Sequence, residues 1–317
     1  MAGTREIRRR IKSVKNTGKI TRAMEMISSV KMRKAAAQVV ALRSYAKSAW
    51  DVLLAVSSAR DVQDMSPLLT ERPLKKQLFV VVTSNRGLCG SFNAQVFRRL
   101  RADVASLRAR DANIEFVSLG RKGDAGLKFL DGDIVASFPD VVANPSASEI
   151  RSIAKFLFDG FESERWDRVS LVYTDFVSAL VQKVRVHQVL PFFERDAEEQ
   201  IAEMGDDKEQ RTMNNEQGAG NKERGMERSV LQAKYSIEPA PEAVLRGLLF
   251  RLVEMQVLHA VLESNASQEA ARMVAMRNAS DAAKDMTESF TLLYNQLRQA
   301  KVTQEIAELS AGMAAVA

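Results

Sequence analysis

Apolar residues near both ends of the chain recur at alternating steps of three and four positions. The first series is Ile7, Ile11, Val14, then Ile20, Met24, Ile27, and later Leu42, Ala46, Ala49, Leu53 and Val56. The second series is Ala283, Met286, Phe290, Leu293, Leu297 and Ala300, continued loosely by Ile306, Leu309 and Met313. Such steps predict a coiled-coil seam. The residues that interrupt the rhythm are Gly18, Lys31, Gln268 and Glu269. We therefore expect an uneven coil.

The distribution of proline predicts how long the terminal helices are. All 7 prolines fall between residues 67 and 241, so both ends lack the strongest helix breaker. One helix is predicted from about Thr4 to Ser58, ~80 Å long, and another from about Glu242 to Gly312, ~105 Å long. Neither fits inside a compact domain. Because one helix opens the chain and the other closes it, their simplest pairing is antiparallel.

The middle of the chain alternates β-branched apolar runs with helical patterns. The runs are QLFVVVTS, IEFVSLG, DIVASF, RVSLVYTDF and KVRVHQVLPF, and the helical patterns cover residues 90–108, 121–131 and 147–163. This alternation predicts an α/β sheet. The last two runs have no helix-length connection, so we expect them to pair antiparallel at one edge of the sheet. The predicted fold class is α/β, with a long antiparallel coiled coil of the N- and C-terminal helices.

Four segments follow from these patterns. They are an N-terminal coiled-coil helix over residues 1–60, a central α/β domain over 75–193, a polar acidic insertion over 194–229 and a C-terminal coiled-coil helix over 240–314. Residues 194–228 hold eleven acidic and six basic side chains and no cysteine. Such polarity does not favour a packed core, so we interpret this segment as an exposed insertion.

Composition excludes several kinds of site. A single cysteine, Cys89, excludes an internal disulfide framework, and 2 histidines do not favour a His/Cys metal site. The most apolar C-terminal stretch contains Arg246, Arg251 and Glu254, which excludes a transmembrane helix there. The N-terminus carries charges throughout, so it does not match a secretory signal.

The stretch VVVTSNRGLCGSFN raises the question of a nucleotide site. It runs from an apolar strand through Gly87 and Gly90 into a helix, as many phosphate-binding loops do. A dinucleotide fingerprint needs G-x-G-x-x-G, and only G-x-x-G is present. A second glycine cluster, LGRKGDAG, fits neither that pattern nor a P-loop, and in NTGKIT the residue Ile20 stands where a magnesium-binding hydroxyl belongs. A tight turn and helix start are therefore favoured over a nucleotide site.

Charge is concentrated at the N-terminus. Residues 1–47 hold thirteen Lys and Arg and two Glu, a net charge of +11, whereas the whole chain carries +6. A solvated helix face is the ordinary interpretation of such a run. A long basic helix also suits an acidic partner, either nucleic acid or an acidic protein surface. Aromatic residues and base-reading motifs are missing from this segment, which disfavours nucleic acid.

Three stretches resemble the signature regions of the gamma subunit of F-type ATP synthases. They are REIRRRIKSVKNTGKITRAMEMISSVKMRKA, TSNRGLCGSFN, and EAARMVAMRNASDAAKDM through LLYNQLRQAKVTQEIAELSAGMAA. The match is collinear over nearly the whole chain. It implies a rotor shaft whose terminal helices stand inside a ring of alternating alpha and beta subunits. The central Rossmann-like α/β domain would form the foot, beside the epsilon subunit and on the membrane ring of c subunits.

The resemblance also implies what the chain does. As a shaft it would couple proton or sodium flow through the c ring to ATP synthesis or hydrolysis at the alpha/beta ring. The delta subunit would belong to the same complex, and the chain would be a peripheral membrane protein at the cytoplasmic face of the cell inner membrane. The lack of a transit peptide favours the bacterial type. No catalytic residue, cofactor, metal ion or nucleic acid is implied for this chain, which would be non-catalytic.

Individual contact positions follow from the same resemblance. They are Met24, Arg272, Arg298, Gln299, Thr303, Glu308, Tyr235 and Glu238. The first two match the region where the shaft meets acidic levers of the beta subunits, the next four match the catch and upper contacts, and the last two match the foot facing the c ring. Each has a simpler interpretation: Met24 as a core residue, the two arginines as solvated charges, and Tyr235 as a packing residue.

Two other functions stay open from the residues alone. A nucleotide-binding α/β enzyme with a coiled-coil appendage would bind ATP or NAD saturably. A basic coiled-coil nucleic-acid binder would bind DNA tightly and with a strong salt dependence. Co-purification with alpha and beta subunits in a single-copy complex separates all three functions.

Overall fold

The computed structural model describes residues 4–57, 68–130, 132–142, 145–192 and 241–316. Side chains are described within these ranges except at 43–57, 241–243 and 314–316. The predicted insertion at 194–229 lies outside the described residues, as do Tyr235 and Glu238. The seam positions predicted from Ala46 to Val56 lie where only the backbone is described.

Long helices begin and end the described chain, with strands and shorter helices alternating between them. In chain order the elements are α1 (Thr4–Ser57), β1 (Lys76–Val82), α2 (Phe92–Arg108), β2 (Asn113–Leu119), α3 (Gly123–Leu127), β3 (Asp133–Phe138), α4 (Ala147–Glu162), β4 (Arg168–Phe176), β5 (Gln182–Leu190) and α5 (Pro241–Val316). The 54 residues of α1 extend ~81 Å and the 76 residues of α5 extend ~114 Å. The predicted terminal helices and the predicted alternation are confirmed.

The five described strands form one sheet in the order β3-β2-β1-β4-β5. Parallel pairs join β1 to β2, β1 to β4 and β2 to β3, whereas β5 runs antiparallel to β4. The predicted antiparallel edge pair is therefore confirmed. The chain leaves β1 toward β2 and β3 and returns on the other side at β4, as in Rossmann-type sheets. In such sheets, ligands bind beyond the carboxyl ends of the strands where the order reverses, here β1 and β4.

Apolar clusters enclose this sheet. A capping box formed by Ser146 and Glu149 begins α4, and the buried face of α4 includes Ile153 and Leu157. That face belongs to a cluster shared with β4 and with the first turns of α5, from Leu245 to Val261. At the edge of this cluster, Arg246 donates two hydrogen bonds of 2.8 Å to the Glu162 carboxylate, which raises the pKa of Arg246 above its ordinary value. A second cluster lies between α2 and the sheet.

Two compact units can be distinguished in the chain. The coil unit comprises Met1–Lys31, Leu88–Gly90 and Glu269–Ala317. The sheet unit comprises Met32–Gly87 and Ser91–Gln268. Among the described residues, no helix is both long enough and apolar enough to span a membrane.

The α1 seam of the coil unit runs partly through small and polar residues. Its buried and half-buried positions follow steps of four and three: Ile7, Ile11, Val14, Gly18, Thr21, Glu25 and Ser28. The predicted start of the seam is thus confirmed, and Met24 beside it is half-buried. The prediction of Ile20 and Ile27 as seam residues is wrong, since both are exposed. The predicted interruption at Gly18 is also wrong, because Gly18 is half-buried and lies on the seam between Val14 and Thr21.

The α5 seam differs from its prediction in the same way. A series of buried and half-buried positions recurs along it at steps of three and four: Glu269, Arg272, Met276, Ser280, Ala283, Thr287, Phe290, Tyr294 and Leu297. Ala283, Phe290 and Leu297 are confirmed. The predicted positions Met286, Leu293 and Ala300 are exposed. The adjacent Thr287 and Tyr294 hold the seam positions in place of the first two, since helix spacing outweighs side-chain polarity here. The predicted interruption at Gln268 and Glu269 is also wrong, since both side chains are buried.

The two helices pair antiparallel within the coil unit. A Cβ added at Gly18 of α1 would lie 3.3 Å from the Ala283 Cβ of α5. On α1, burial reaches back to Ile7, eleven residues before Gly18. On α5, burial reaches forward to Leu297, fourteen residues after Ala283, as expected for helices that run in opposite directions. The partner helix begins at Thr4, so within the described part of the chain α5 continues past the end of α1.

Gly18→Leu is expected to destabilise the coil by about 1–3 kcal/mol, because the larger side chain must push Ala283 and its helix away. Urea unfolding of the full chain, followed by the far-ultraviolet helix signal, measures this change. Gly247→Leu is the matched control, because a Cβ at Gly247 meets nothing within 4 Å and the gain in helix propensity is the same. Equal effects of the two substitutions would show that Gly18 is not required for close packing.

Candidate functional site on the terminal helices

The first turns of α1 present a basic surface. Arg8, Arg9, Lys12 and Lys15 are exposed. Arg10 instead donates a hydrogen bond of 2.7 Å to Glu6 on the same helix. The four side chains lie within an arc of about 120° around the helix, since successive residues are about 100° apart. These exposed basic residues therefore place positive charge along one face of α1.

A buried ion pair lies at the start of the α5 coil segment. Arg272 donates a hydrogen bond of 2.5 Å to Glu269, and each side chain is only 8% exposed. A buried charge is costly unless it is paired, so each of these residues requires the other. This differs from the simpler interpretation of Arg272 as a solvated charge.

The end of α5 extends past its partner helix. Every residue from Arg298 to Met313 is exposed. This range contains four of the predicted contact positions: Arg298, Gln299, Thr303 and Glu308. Glu308 accepts a hydrogen bond of 2.9 Å from Gln304. The four positions therefore share one helix end, while Met24 and Arg272 belong to the paired part of the coil.

An apolar stripe follows this helix end. Its members recur at steps of four, three and four and are 48–71% exposed: Val302, Ile306, Leu309 and Met313. The predicted continuation of the seam at Ile306, Leu309 and Met313 thus has the expected spacing. No helix among the described residues covers these side chains, so they are not part of the paired seam. A contiguous exposed apolar stripe on a helix is typical of a binding surface for another protein.

Backbone groups at the carboxyl end of β4, near the place where a Rossmann-type sheet binds its ligand, bond to α5. At the carboxyl end of β4, the backbone N–H of Phe176 donates a hydrogen bond of 2.8 Å to Glu263 of α5. The Ser267 hydroxyl of the same helix donates a hydrogen bond of 3.1 Å to the Thr174 carbonyl oxygen. The Glu263 carboxylate therefore accepts from a backbone N–H that could otherwise face a phosphate.

The glycine-rich loops serve close packing in this chain. Gly120 adopts φ +100, and a Cβ there would overlap the Thr83 carbonyl oxygen. In the first loop, Leu88–Gly90 belongs to the coil unit, where a Cβ at Gly90 would lie 3.8 Å from the Ala275 Cβ. Both observations support the tight turn that the sequence favours.

Several residues of this arrangement are missed by apolar patterning. Thr21 and Ser28 on α1 are buried, and so are Glu263 and Ser267 on α5. For the first pair, the steps of four and three from Ile7 were a usable signal. For the second pair no local signal exists, because their partners lie more than eighty positions away on β4.

Comparison with known proteins places this architecture in a family. The ATP synthase family model matches residues 3–316. The ATP synthase gamma chain of Roseiflexus castenholzii is 38% identical over 318 residues, covering 100% of this chain and 99% of the relative. That of another Roseiflexus species is 37% identical with the same coverage. The chain belongs to the ATP synthase gamma chain family.

Solved structures share the fold of this gamma chain. A chain from the OSCP/F1/c-ring assembly of Euglena gracilis mitochondrial ATP synthase matches with a TM-score of 0.62 and 20% identity, covering 99% of this chain and 94% of that one. A central stalk/c-ring chain from Tetrahymena thermophila matches with a TM-score of 0.57 and 23% identity, covering 82% of this chain and 99% of that one. The gamma chain is accordingly a non-catalytic subunit of the central stalk of an F-type ATP synthase.

Proposed function

We propose that this gamma chain is the rotating shaft that couples proton or sodium flow through a c ring to ATP synthesis or hydrolysis in an alpha/beta ring. The exposed end of α5 carries this proposal. Its apolar stripe and its polar residues extend beyond the coil, so the helix end suits a surrounding protein socket. A shaft needs such an end inside the ring and a different element at its foot.

The mechanism follows from the asymmetry of the shaft. A basic α1 face, a buried ion pair and the exposed end of α5 present different chemistry to a surrounding protein. A catalytic subunit that meets one face therefore has a different favoured conformation from a subunit that meets another. Turning the shaft shifts the conformational equilibrium of each of the three catalytic sites of the ring in sequence. Such coupling requires that the shaft contact the alternative conformations with different free energies.

The basic surface of α1 suits acidic levers on the beta subunits. Electrostatic attraction acts over about 8–10 Å at physiological salt and does not demand interlocked shapes. A rotating contact must be released and re-formed at each step, so long-range attraction suits it better than a deep apolar fit. Half-buried Met24 lies nine residues beyond Lys15 on the same helix, and Arg272 with its partner Glu269 lies on the α5 part of the coil unit.

The remaining contacts complete the proposed assembly. The upper catch is formed on the exposed end of α5 by Arg298, Gln299, Thr303 and Glu308. Tyr235 and Glu238 contact the c ring in this proposal, and the epsilon subunit belongs to the same end of the complex. The delta subunit belongs to the same complex. The chain works at the cytoplasmic face of the cell inner membrane as a peripheral subunit.

Co-expression of a tagged chain with its alpha and beta subunits tests this function. One copy of the chain should co-purify with three of each ring subunit, and the complex should hydrolyse ATP with rotation of the chain. A matched variant carries Gln in place of the four stripe residues and should be recovered with the ring in lower yield, because Gln keeps helix propensity while removing apolar contact. Isolation of the wild-type chain without ring subunits would count against the proposal.

The upper catch yields a separate prediction. Arg298→Ala with Gln299→Ala should leave the complex assembled but lower its ATP turnover several-fold, because loss of one or two charge-assisted hydrogen bonds weakens a contact made only at certain angles. The rate of ATP hydrolysis per assembled complex measures the effect. Lys301→Ala with Glu305→Ala, an exposed pair on the same helix end, serves as a control. Normal turnover of the catch variant would remove both residues from the mechanism.

A further inference from the structure

A buried carboxylate holds α5 against the end of β4. Glu263 is 1% exposed, and its Oε2 accepts the hydrogen bond of 2.8 Å from the Phe176 backbone N–H. The His259 Nε2 lies 3.4 Å from the other carboxylate oxygen, one helical turn away. Both oxygens therefore have a partner inside the protein.

A second bond lies one turn further along α5. Ser267 is fully buried, and its hydroxyl donates to the carbonyl oxygen of Thr174 at 3.1 Å. Glu263 and Ser267 are four residues apart, so they share one face of the helix. Their partners lie two residues apart on β4. One side chain accepts from the strand backbone and the other donates to it, so the helix is held in one register and one rotation.

These bonds occupy a particular stretch of α5. The apolar cluster of the sheet unit ends on this helix at Val261, and the buried side chains that follow include Glu263, Ser264, Ser267 and Gln268. The helix enters the coil unit at Glu269. The two bonds thus lie within the last two turns of α5 that belong to the sheet unit.

Polar residues at this point require a reason, because apolar side chains of similar size would avoid the cost of burying a charge. Apolar contacts between a helix and a sheet resist separation, but they do not define one rotation of the helix. A hydrogen bond to a fixed backbone group has a narrow range of distance and angle. Twisting α5 about its axis would break both bonds.

We propose that Glu263 and Ser267 form a torsional lock that prevents α5 from turning against the sheet when torque passes between the foot and the coil. The inference rests on the rotor function proposed above. Both are positioning residues, since they act through α5 and touch no catalytic site. The Asp175 carboxylate accepts a hydrogen bond of 2.9 Å from Arg185 of β5, which secures the strand that the lock uses.

Single-molecule measurement of torsional stiffness tests the lock. The assembled complex is fixed through its beta subunits, and a bead is attached to the sheet unit at Arg110→Cys, because Arg110 is exposed in the turn that follows α2. In Glu263→Ala with Ser267→Ala, the bead angle during a catalytic dwell should spread more widely than in the wild type. The rotation rate with a small, unloaded bead should stay unchanged. A loss of packing alone would lower assembly or thermal stability without widening the angles of intact complexes.

Further variants separate the outcomes. Glu263→Gln keeps an acceptor oxygen and should retain most of the stiffness, whereas Ser267→Ala alone should lose part of it. If the double variant fails to assemble, the torsional stiffness of these single variants still tests the lock. Glu288→Ala with Ser289→Ala, both exposed on α5, is the matched control. Wild-type stiffness in every Glu263 and Ser267 variant would overturn the lock while leaving the rotor intact, whereas absence of rotation in the wild type would overturn both proposals.

Discussion

Replacing Arg272 with methionine is expected to destabilise the coil far more than replacing both Arg272 and Glu269 with methionine. Both side chains are 8% exposed and lie in direct contact. Removing the cation alone leaves a buried carboxylate without its charge partner, which costs about 3–5 kcal/mol in comparable pairs. Removing both charges substitutes apolar contacts for the pair, and such replacements range from neutral to stabilising.

Denaturant unfolding of the full chain measures these free energies for the wild type, both single variants and the double variant. Arg277→Met is the control, because Arg277 is exposed on the same helix and the substitution is identical. The control should change stability by no more than about 0.5 kcal/mol. If Arg272→Met and the double variant lose equal stability, the pair does not compensate a burial cost. The coil would then depend on the aliphatic stem of Arg272.

The central sheet was predictable because its signals are local. Buried parallel strands read as continuous apolar runs, and each run is followed by a helical pattern or by the short link before β5. QLFVVVTS covers β1 except its first residue, Lys76, and RVSLVYTDF coincides with β4. The order of strands was not predicted, because pairing depends on which residues meet in space.

The coil was predictable in length but not in register. The absence of proline and the recurrence of apolar residues indicate two long helices. Choosing seam positions by hydrophobicity fails at Ile20 and Ile27, which are exposed, while Gly18, Thr21 and Ser28 lie on the seam. Small seam residues allow close approach of two helices, as at Gly18 and Ala283. An apolar residue on the outer face carries no seam signal and can serve a partner instead.

Buried polar residues were the least predictable part of the site. Composition presents Glu263, Glu269 and Arg272 as ordinary helix charges, yet all three are buried. Glu269 and Arg272 are three positions apart, a spacing that permits pairing but does not reveal burial. The Glu263 partner is a backbone N–H on β4, which no residue pattern encodes. Such contacts depend on tertiary structure alone.

Polar contacts in this chain have two distinct tasks. Buried ones, such as Glu263 on β4, fix one geometry because their distances and angles are narrow. Exposed charges, such as those on α1, act over a longer range and tolerate many geometries. A shaft needs both kinds: rigid joints inside the rotor and a yielding contact with the stationary ring.

Neutralising the basic surface of α1 is expected to weaken assembly with the alpha/beta ring without loss of helix. The variant replaces Arg8, Arg9, Lys12 and Lys15 with Gln and keeps Arg10, which pairs with Glu6. Gln has nearly the same helix propensity as Lys and Arg. Each exposed charge pair contributes about 0.2–1 kcal/mol, so four together should weaken ring affinity by roughly fourfold to several hundredfold.

Titration of the chain with purified ring subunits at two salt concentrations measures this loss, with circular dichroism as the check on helix content. Screening removes attraction between exposed charges, so the difference between variant and wild type should shrink as salt rises. A matched control changes net charge by the same amount on the sheet unit. It replaces four exposed basic residues there with Gln: Arg98, Arg101, Arg110 and Lys128. Ring affinity that falls equally in both variants would point to net charge rather than to α1. Unchanged affinity at low salt would identify the basic run as a solvated face and remove electrostatic attraction from the proposed lever contact.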